Sequence, residues 1–528
     1  MVKNMYEVLA AACQKNSAGV FFVRTNKTYA DLLSMVKKRA VKLAKKYNIK
    51  KGDVVALLSG TCPEFVVSYF AILSQGARAL MLDTGLAANE HKEMMRITGA
   101  KLAIAQNSFE IPKDIPTMNI DEEDSDDENG FNVAGVERED IAQLSFTSGT
   151  TGNPKIVPLT HHNMVSLCEG VQFYSPVMKP GYMFYGFLPL YHIYGVVINM
   201  LAPIALGCSL LIQPVLNPKE FLVDFAKYRP HVIPAVPRVW EGFYKKIVAG
   251  AKEKKKYTLM RIILASQGFL NLIGLGFMVR KVKQPIQDIF GGRVKVLVSA
   301  GATLKPTIRK FFERMGFAVG DCYGLTETVG TGNMNFKFRM DNKEMTYASP
   351  LPGNKIRINN PDKNGVGEIW LKGNTVMSGY LNNPQANAEA FENGWFKTGD
   401  LGKIVSKNRL VVKGRWKQII VLDSGKNVYP DELEDLYLQN EDILAAAVVE
   451  RVINGKTVAY GVFQVTPETT IAKVDMLIKA SNLKIAPYKW VRHFAITEDE
   501  LPQTSAKKIK HFEIQKMLDA GAFPLRKE

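Results

Sequence analysis

Two alternations of short apolar strands with helices, and a change of texture near Gly367, predict an α/β protein with more than one folding unit. The chain has 528 residues, more than one core takes up, since cores stop growing at roughly 250–300 residues. In the first alternation Asp53–Leu58, Ala79–Leu82 and Leu102–Ala105 read as buried strands, with Phe65–Leu73 as a helix. Such unbroken apolar runs belong to a largely parallel sheet covered on both faces. In the second, Val232–Pro237 and Val294–Val298 each lead into a helix. Beyond Gly367 come short strands and turns, at Glu368–Leu371, Leu410–Val412 and Gln418–Val421. After Gly414 about a hundred residues form a compact α+β pattern, an ordinary domain size. The expected domains are residues 1–413 and 414–528.

Composition narrows the function classes. Hydrophobic residues make up 46%, ordinary for a globular enzyme. The cysteines, Cys13, Cys62, Cys168, Cys208 and Cys322, are odd in number and form no CxxC pair. That argues against a disulfide framework or a zinc site and for a reducing cytoplasm. Met1 to Asn16 lacks the apolar run of a signal peptide. The net charge is +17, and all of it lies ahead of Gly414, because acids and bases balance after it. The charge is local and no nucleic-acid module is recognisable, so no nucleic-acid partner is expected. Asp121–Glu128 holds seven acids and reads as a solvated loop. Lys245–Lys283 holds ten basic residues and one acid. Within it 262–279 is an uncharged stretch of 18 residues, either a buried helical segment or a peripheral contact with an anionic membrane.

Five motifs carry chemistry. Ser145-Phe146-Thr147-Ser148-Gly149-Thr150-Thr151-Gly152-Asn153-Pro154-Lys155 joins glycines that allow a tight turn to hydroxyls and one ammonium, a composition suited to phosphates. It lacks the G-K-[ST] ending of a P-loop. Tyr323-Gly324-Leu325-Thr326-Glu327-Thr328 offers an aromatic face for a purine, a hydroxyl for a phosphate oxygen and a hard carboxylate for Mg²⁺. In Gly394–Gly402, Asp400 stands on a glycine-flanked turn and can accept bonds from two ribose hydroxyls. Gly414-Arg415-Trp416-Lys417 with Gly425-Lys426-Asn427-Val428-Tyr429-Pro430, and Leu501–Lys510, look like basic surface turns when each stands alone.

Together, in this order and spacing, the five resemble the adenylate-forming superfamily of acyl-CoA synthetases, firefly luciferase and peptide-synthetase adenylation domains. The resemblance runs from about residue 20 to the end. It is supported by Ser299–Leu304, Gly367-Glu368-Ile369, Gly373 and Gly379-Tyr380. It implies a large N-terminal domain of layered α/β sheets with a distorted β-barrel part, and a small mobile α+β C-terminal domain hinged near Lys417. It also implies ATP, Mg²⁺ and coenzyme A as small-molecule partners. Thr147, Ser148, Gly149, Thr150, Thr151, Gly152 and Lys155 would hold the phosphates. Gly301 and Ala302 would flank the adenine, on which Tyr323, followed by Gly324, would stack. Thr326 would contact the α-phosphate, Glu327 the metal, and Asp400 with Arg415 the ribose. Lys508 aligns with the family's catalytic lysine, and Gly425 with Lys426 would line the thiol channel. The glycine that usually precedes that lysine is Lys507 here, and the usual Gly-Ser-x-Gly stretch reads Tyr347-Ala348-Ser349-Pro350.

The resemblance also bears on the acid. Leu188–Gly195 has no Asp to pair a substrate ammonium, so an amino acid is disfavoured. His192 falls where acyl- and aryl-CoA members have an aromatic or His. Val236–Glu241 and Gly425–Pro430 are similar to the long-chain fatty-acid branch. A medium- to long-chain acid passed to coenzyme A is expected. An acyl carrier protein as acceptor, or a non-catalytic acyl or nucleotide binder, are the alternatives. A cytoplasmic enzyme with peripheral membrane contact fits the expected activation of a fatty acid.

Overall fold

The computed structural model describes the chain except Met1 and residues 125–126, 148–154, 215–216, 331–332, 336–339, 342–343, 346–349, 406–408, 416–417, 419, 424–425, 504–508 and 524–528. Two compact units divide it. One takes Met1–Lys355, Leu371–Phe396 and Lys407–Arg409, and the other takes Ile356–Trp370, Lys397–Ser406 and Leu410–Glu528. Two segments ahead of Leu410 thus belong with the C-terminal part.

The first unit is built on two sheets. Its strands are β1 (Val20–Phe22), β2 (Lys27–Thr28), β3 (Val54–Leu58), β4 (Arg78–Met81), β5 (Ala100–Ala105), β6 (Thr117–Asn119) and β7 (Ile141–Thr147). They continue with β8 (Lys155–Thr160), β9 (Met183–Gly186), β10 (Ser209–Ile212), β11 (Val232–Ala235), β12 (Val296–Ser299), β13 (Ala318–Tyr323) and β14 (Asn333–Asn335). One sheet runs β6-β5-β3-β4-β7-β8 and the other β14-β13-β12-β11-β9-β10-β1-β2. The interior pairings of both are parallel, and antiparallel pairs occur only at the edges, β7 with β8, β13 with β14 and β1 with β2. The reason is in the sequence: β3 is buried at all five positions, which suits a strand covered on both faces. Helix α1 is Met5–Lys15, and α2 (Tyr29–Lys45) starts at a capping box of Thr28 with Asp31. Helix α3 (Pro63–Ser74) has proline at its first turn and ten buried residues.

The acidic run corrects the sequence reading. It is only partly a solvated loop: Asp121, Glu123 and Asp127 are exposed, but Glu122, Asp124 and Glu128 dock on the basic face of α2. Arg39, buried, donates from Nε to both carboxylate oxygens of Asp124 at 2.9 and 2.8 Å, and from Nη1 to Ser68 Oγ at 2.7 Å. Lys42 and Lys46 pair with Glu122 at 2.9 and 2.7 Å, and Lys37 with Glu128 at 3.3 Å. Hydrogen bonds from these lysines hold the Glu122 carboxyl below the usual range. Lysines spaced along one helix face neutralise what would otherwise repel.

The uncharged stretch 262–279 is also resolved. Ser266 and Gly274 break it among three short helices, Tyr257–Ala265, Gln267–Leu272 and Gly276–Ile289. Among the described residues no helix is long and apolar enough to cross a membrane.

The second unit takes most of the strands Asn354–Asn359, Gly367–Gly373 and Trp395–Val405, which follow one another in a sheet, with Arg409–Arg415 beside the third. A separate antiparallel pair, Ile443–Ile453 with Lys456–Val465, is joined in parallel by His493–Thr497. Val448, Phe463, Val474 and Leu433 form the core beneath the helices Pro430–Tyr437 and Ile471–Asn482.

Truncating Arg39 leaves Asp124 without its buried partner. Arg39→Ala should lower the stability of the first unit by about 3 kcal/mol, the range for breaking a buried pair. The exposed Lys46→Ala should leave it unchanged. Urea unfolding followed by fluorescence checks both.

Candidate functional site

Parallel strands bring the second sheet's functional segments to one end. Register pairs Ala235 with Ser299 and Ser299 with Asp321, so the chain leaves β11, β12 and β13 at the same edge. Ligands of open α/β sheets bind at these carboxyl ends. Gly301 and Ala302 follow β12 and are exposed. Gly301 has φ +87, and a Cβ there would come within 3.9 Å of Val236 Cγ1, so the left-handed backbone, not space, calls for glycine. Tyr323 ends β13 and is 8% exposed.

After Tyr323 the chain makes a tight 3₁₀ turn, Thr326–Thr328. Thr328 Oγ1 accepts from Leu325 N–H at 2.9 Å, and Gly330 N–H donates to the Leu325 carbonyl at 2.8 Å. Gly324, Thr326 and Glu327 are half-buried at this turn. Glu327 is fixed twice. Its carbonyl accepts from Met377 N–H at 2.8 Å, and its Oε1 accepts from the Tyr380 hydroxyl at 2.9 Å. Lys155 Nζ lies 4.8 Å from the centre of the Tyr380 ring, within range of a cation–π contact. Lys155 opens β8, directly paired with Thr147 at the end of β7. Both ends of the glycine–threonine loop are therefore pinned, while Ser148, Gly149, Thr150, Thr151 and Gly152 lie outside the described residues.

His192 caps a short helix, Ile193–Val196. Its Nε2 is 3.6 Å from Asp83 Oδ2. Asp83 lies just past β4, at the carboxyl edge of the other sheet. The approach is tight: a Cβ on Gly195 would stand 1.9 Å from the Pro189 carbonyl oxygen, so only glycine fits. Tyr194 donates to the Ala235 carbonyl at 3.3 Å, tying this helix to the end of β11.

Under β13 sits an ion pair that sequence reading missed. Arg309, 1% exposed, donates to Asp321 Oδ2 at 2.6 Å, to Glu313 at 3.0 Å and to the Val319 carbonyl at 3.0 Å. Burial lifts the Asp321 carboxyl to about 6, although Arg309 opposes the rise.

In the second unit, Asp400 is buried and Arg415 Nε lies 3.1 Å from its Oδ1. Thr398 Oγ1 accepts from Asp400 N–H at 3.0 Å and donates to the Ile369 carbonyl at 2.7 Å. Lys426 is exposed, with Nζ 4.7 Å from the Tyr488 ring centre. Lys417, Gly425 and Lys508 lie outside the described residues. His511 stands three positions past Lys508. Its Nε2 is 2.6 Å from Glu434 Oε1, and its Nδ1 is 3.1 Å from Gln418 Nε2. Burial opposes a charged ring, but Glu434, with Asp431 and the Ile509 carbonyl, outweighs it, and the His511 pKa is raised.

The AMP-binding enzyme family model matches residues 9–381. The chain belongs to the AMP-binding enzyme family. Among curated relatives, the long-chain-fatty-acid–CoA ligase FadD15 of Mycobacterium bovis is 29% identical, covering 92% of this chain and 90% of that protein. The 2-succinylbenzoate–CoA ligase of Bacillus velezensis is also 29% identical, over 81% of each. Among solved structures, the o-succinylbenzoate–CoA synthetase MenE of Bacillus subtilis, in complex with ATP and magnesium ion, superposes with a TM-score of 0.77 at 22% identity. That superposition covers 96% of this chain and 99% of MenE, and it shows the fold.

Asp83 and Tyr380 are the residues that family motifs did not assign. Tyr380 sits in the Gly379-Tyr380 signature, yet only folding shows its hydroxyl on Glu327. Asp83 carries no motif, and its approach to His192 joins the two sheets. The donor set suits Mg²⁺. Among the described residues no cluster of three or more His, Cys, Asp or Glu could cage a metal. One oriented carboxylate is what an AMP-binding enzyme needs when phosphates and water supply the other oxygens.

Tyr380→Phe should raise the Mg²⁺ concentration for half-maximal turnover several-fold and leave the melting temperature unmoved. Glu327→Gln should slow turnover by about 10²–10³. The raised pKa of His511 means that its pairing stabilises the second unit fully below about pH 6.5. That contribution is lost as pH rises through the folded value. His511→Gln should flatten the fall in unfolding midpoint above that pH, read by denaturant unfolding across a pH series.

Proposed function

We propose that the chain activates a medium- to long-chain fatty acid with ATP as the acyl-adenylate, releasing pyrophosphate, and then passes the acyl group to coenzyme A. The observation that carries this is the tie Lys155–Tyr380–Glu327 beside the exposed Gly301-Ala302 and the end of β13. An ammonium and an oriented carboxylate that meet on one tyrosine within a single unit support phosphate and Mg²⁺ binding there. FadD15 and the Val236–Glu241 segment support the fatty acid. The 2-succinylbenzoate ligase shows how the same frame takes another acid in a relative.

In this reading Thr147, Lys155 and the loop between them hold the β- and γ-phosphates. Gly301, Ala302 and Tyr323 take the adenine, and Asp400 with Arg415 the ribose hydroxyls. A carboxylate oxygen of the acid attacks the α-phosphorus and the bond to pyrophosphate breaks. Thr326 and Lys508 offset charge on the phosphoryl oxygens; Glu327 would hold Mg²⁺, which would supply further Lewis-acid neutralisation there. His192, oriented by Asp83, stands at the acyl entrance. Residues 414–528 then act as the mobile domain, turning about Lys417 to bring Gly425 and Lys426 to the thiol. The thiol sulfur attacks the acyl carbon and AMP leaves.

Delivery to an acyl carrier protein is the second reading, favoured by the basic charge ahead of Gly414. The cysteines, all unpaired, fit a reducing cytoplasm. Peripheral membrane contact through 245–283 would bring the enzyme to its substrate.

Acids of rising chain length, scored for pyrophosphate with and without coenzyme A, test the reading. Release should peak with fatty acids of medium to long chain, and the acyl product should require coenzyme A. Product with holo-carrier protein alone favours the second reading, and no release with any acid ends both. Lys508→Ala should cut adenylation by about 10²–10³.

A further inference from the structure

The three-helix cap 257–289 concentrates exposed apolar side chains. Leu259 (55%), Ile262 (59%), Phe269 (62%), Leu272 (84%), Ile273 (48%) and Phe277 (48%) all lie open within one short stretch. Met260, Ile263, Leu264, Val279 and Ile286 are buried and anchor the helices. The helices therefore have an inner face that packs and an outer crest that does not. Contiguous exposed apolar surface of this kind marks a contact site.

Charge identifies the occupant. Lys254, Lys255 and Lys256 precede the crest and are exposed, and among the described residues none of them has an acidic partner. Arg261 lies on the first of the three helices, ahead of Phe269, and Arg280 and Lys281 follow Phe277, all exposed. Cations thus flank an apolar tip on both sides along the chain. A second copy of this cap would oppose like charges. A soluble acidic protein would satisfy the cations but leave Leu272 and Phe269 in water. An anionic lipid surface satisfies both groups at once, with apolar side chains at the acyl boundary and ammonium groups at the phosphates.

We infer that the crest Phe269–Phe277 inserts shallowly into the headgroup–acyl boundary of an anionic membrane, with Lys254–Lys256 and Arg280-Lys281 on the lipid phosphates. This deepens the membrane contact of the proposed function and rests on that reading only for its purpose, the collection of a fatty acid.

The test is flotation of the full chain with vesicles of phosphatidylcholine alone or with phosphatidylglycerol. Strong binding to anionic vesicles and weak binding to neutral ones is expected. Lys254→Gln/Lys255→Gln/Lys256→Gln should weaken anionic binding at low salt roughly a hundredfold, about fivefold for each charge. Phe269→Ser/Leu272→Ser/Phe277→Ser should weaken it at least tenfold at any salt. These side chains are exposed, and circular dichroism confirms folding. Independently, fluorescence of the tryptophan in Leu272→Trp should be quenched by brominated acyl chains. The inference is overturned if anionic vesicles do not bind, if the serine variant binds like the parent, or if brominated chains leave the fluorescence unchanged. It is also overturned if sedimentation shows a dimer that the serine substitutions abolish. Pyrophosphate release from detergent-dispersed acid, measured without vesicles, reads the proposed activity separately.

Discussion

The catalytic reading of this molecule rests on how one carboxylate is held. Glu327 belongs to a short turn that could point its side chain in several directions. The Met377 amide fixes its backbone and the Tyr380 hydroxyl fixes one carboxylate oxygen. The same ring carries Lys155 on its face. Three segments far apart in the chain, around 155, 327 and 380, are thereby set in register by one tyrosine. A carboxylate offers about four lone-pair sites, and the Tyr380 bond sets the orientation of this one. Preorganisation of this kind is where binding energy becomes rate.

That clamp needs a rigid floor, and buried charge provides part of it. Arg309 fastens β13 to the preceding helix through Asp321 and the Val319 carbonyl, braced by Glu313 on its own helix, with Tyr323 two residues beyond Asp321. Replacing such a group by packed apolar residues is often neutral or better for stability. Its contribution here is therefore directional, because a guanidinium fork admits one arrangement of its acceptors. The rise of the Asp321 carboxyl to about 6 shows desolvation outweighing the ion pair.

Much of the fold was legible because apolar runs and glycine punctuation report local conformation. The strands read at Asp53–Leu58 and Leu102–Ala105 fold as Val54–Leu58 and Ala100–Ala105, and Phe65–Leu73 lies inside Pro63–Ser74. What escaped depends on distance in the chain. Arg39 meets Asp124 across 85 positions, so the acidic run looked like self-repelling solvent-facing chain until α2 was laid beside it. Tyr380 and Asp83 were invisible as functional residues for the same reason, since neither has a local pattern that separates a clamp from a core tyrosine or a loop acid. The assembly of unit 2 from Ile356–Trp370, Lys397–Ser406 and the segment after Leu410 likewise depends on strand pairing that no linear boundary anticipates.

The charge pattern makes a last physical point. Lysines can lie on a surface for solubility alone, but then they scatter among acids and pair with them. On α2 they do pair: Lys37, Lys42 and Lys46 each face a carboxylate of the acidic run. Just ahead of the cap, Lys254, Lys255 and Lys256 have no such partner among the described residues, and the single acid of the whole 245–283 segment is Glu253. Concentrating like charge in one place raises self-repulsion. That repulsion is relieved only when a negative surface is brought up to it. The exposed crest raises the free energy of the isolated protein in water for a parallel reason, because apolar side chains gain by leaving water. Two unfavourable features of the free chain, close together in one stretch of sequence, are both removed by one kind of contact, and that coincidence is what separates this segment from an ordinary basic surface.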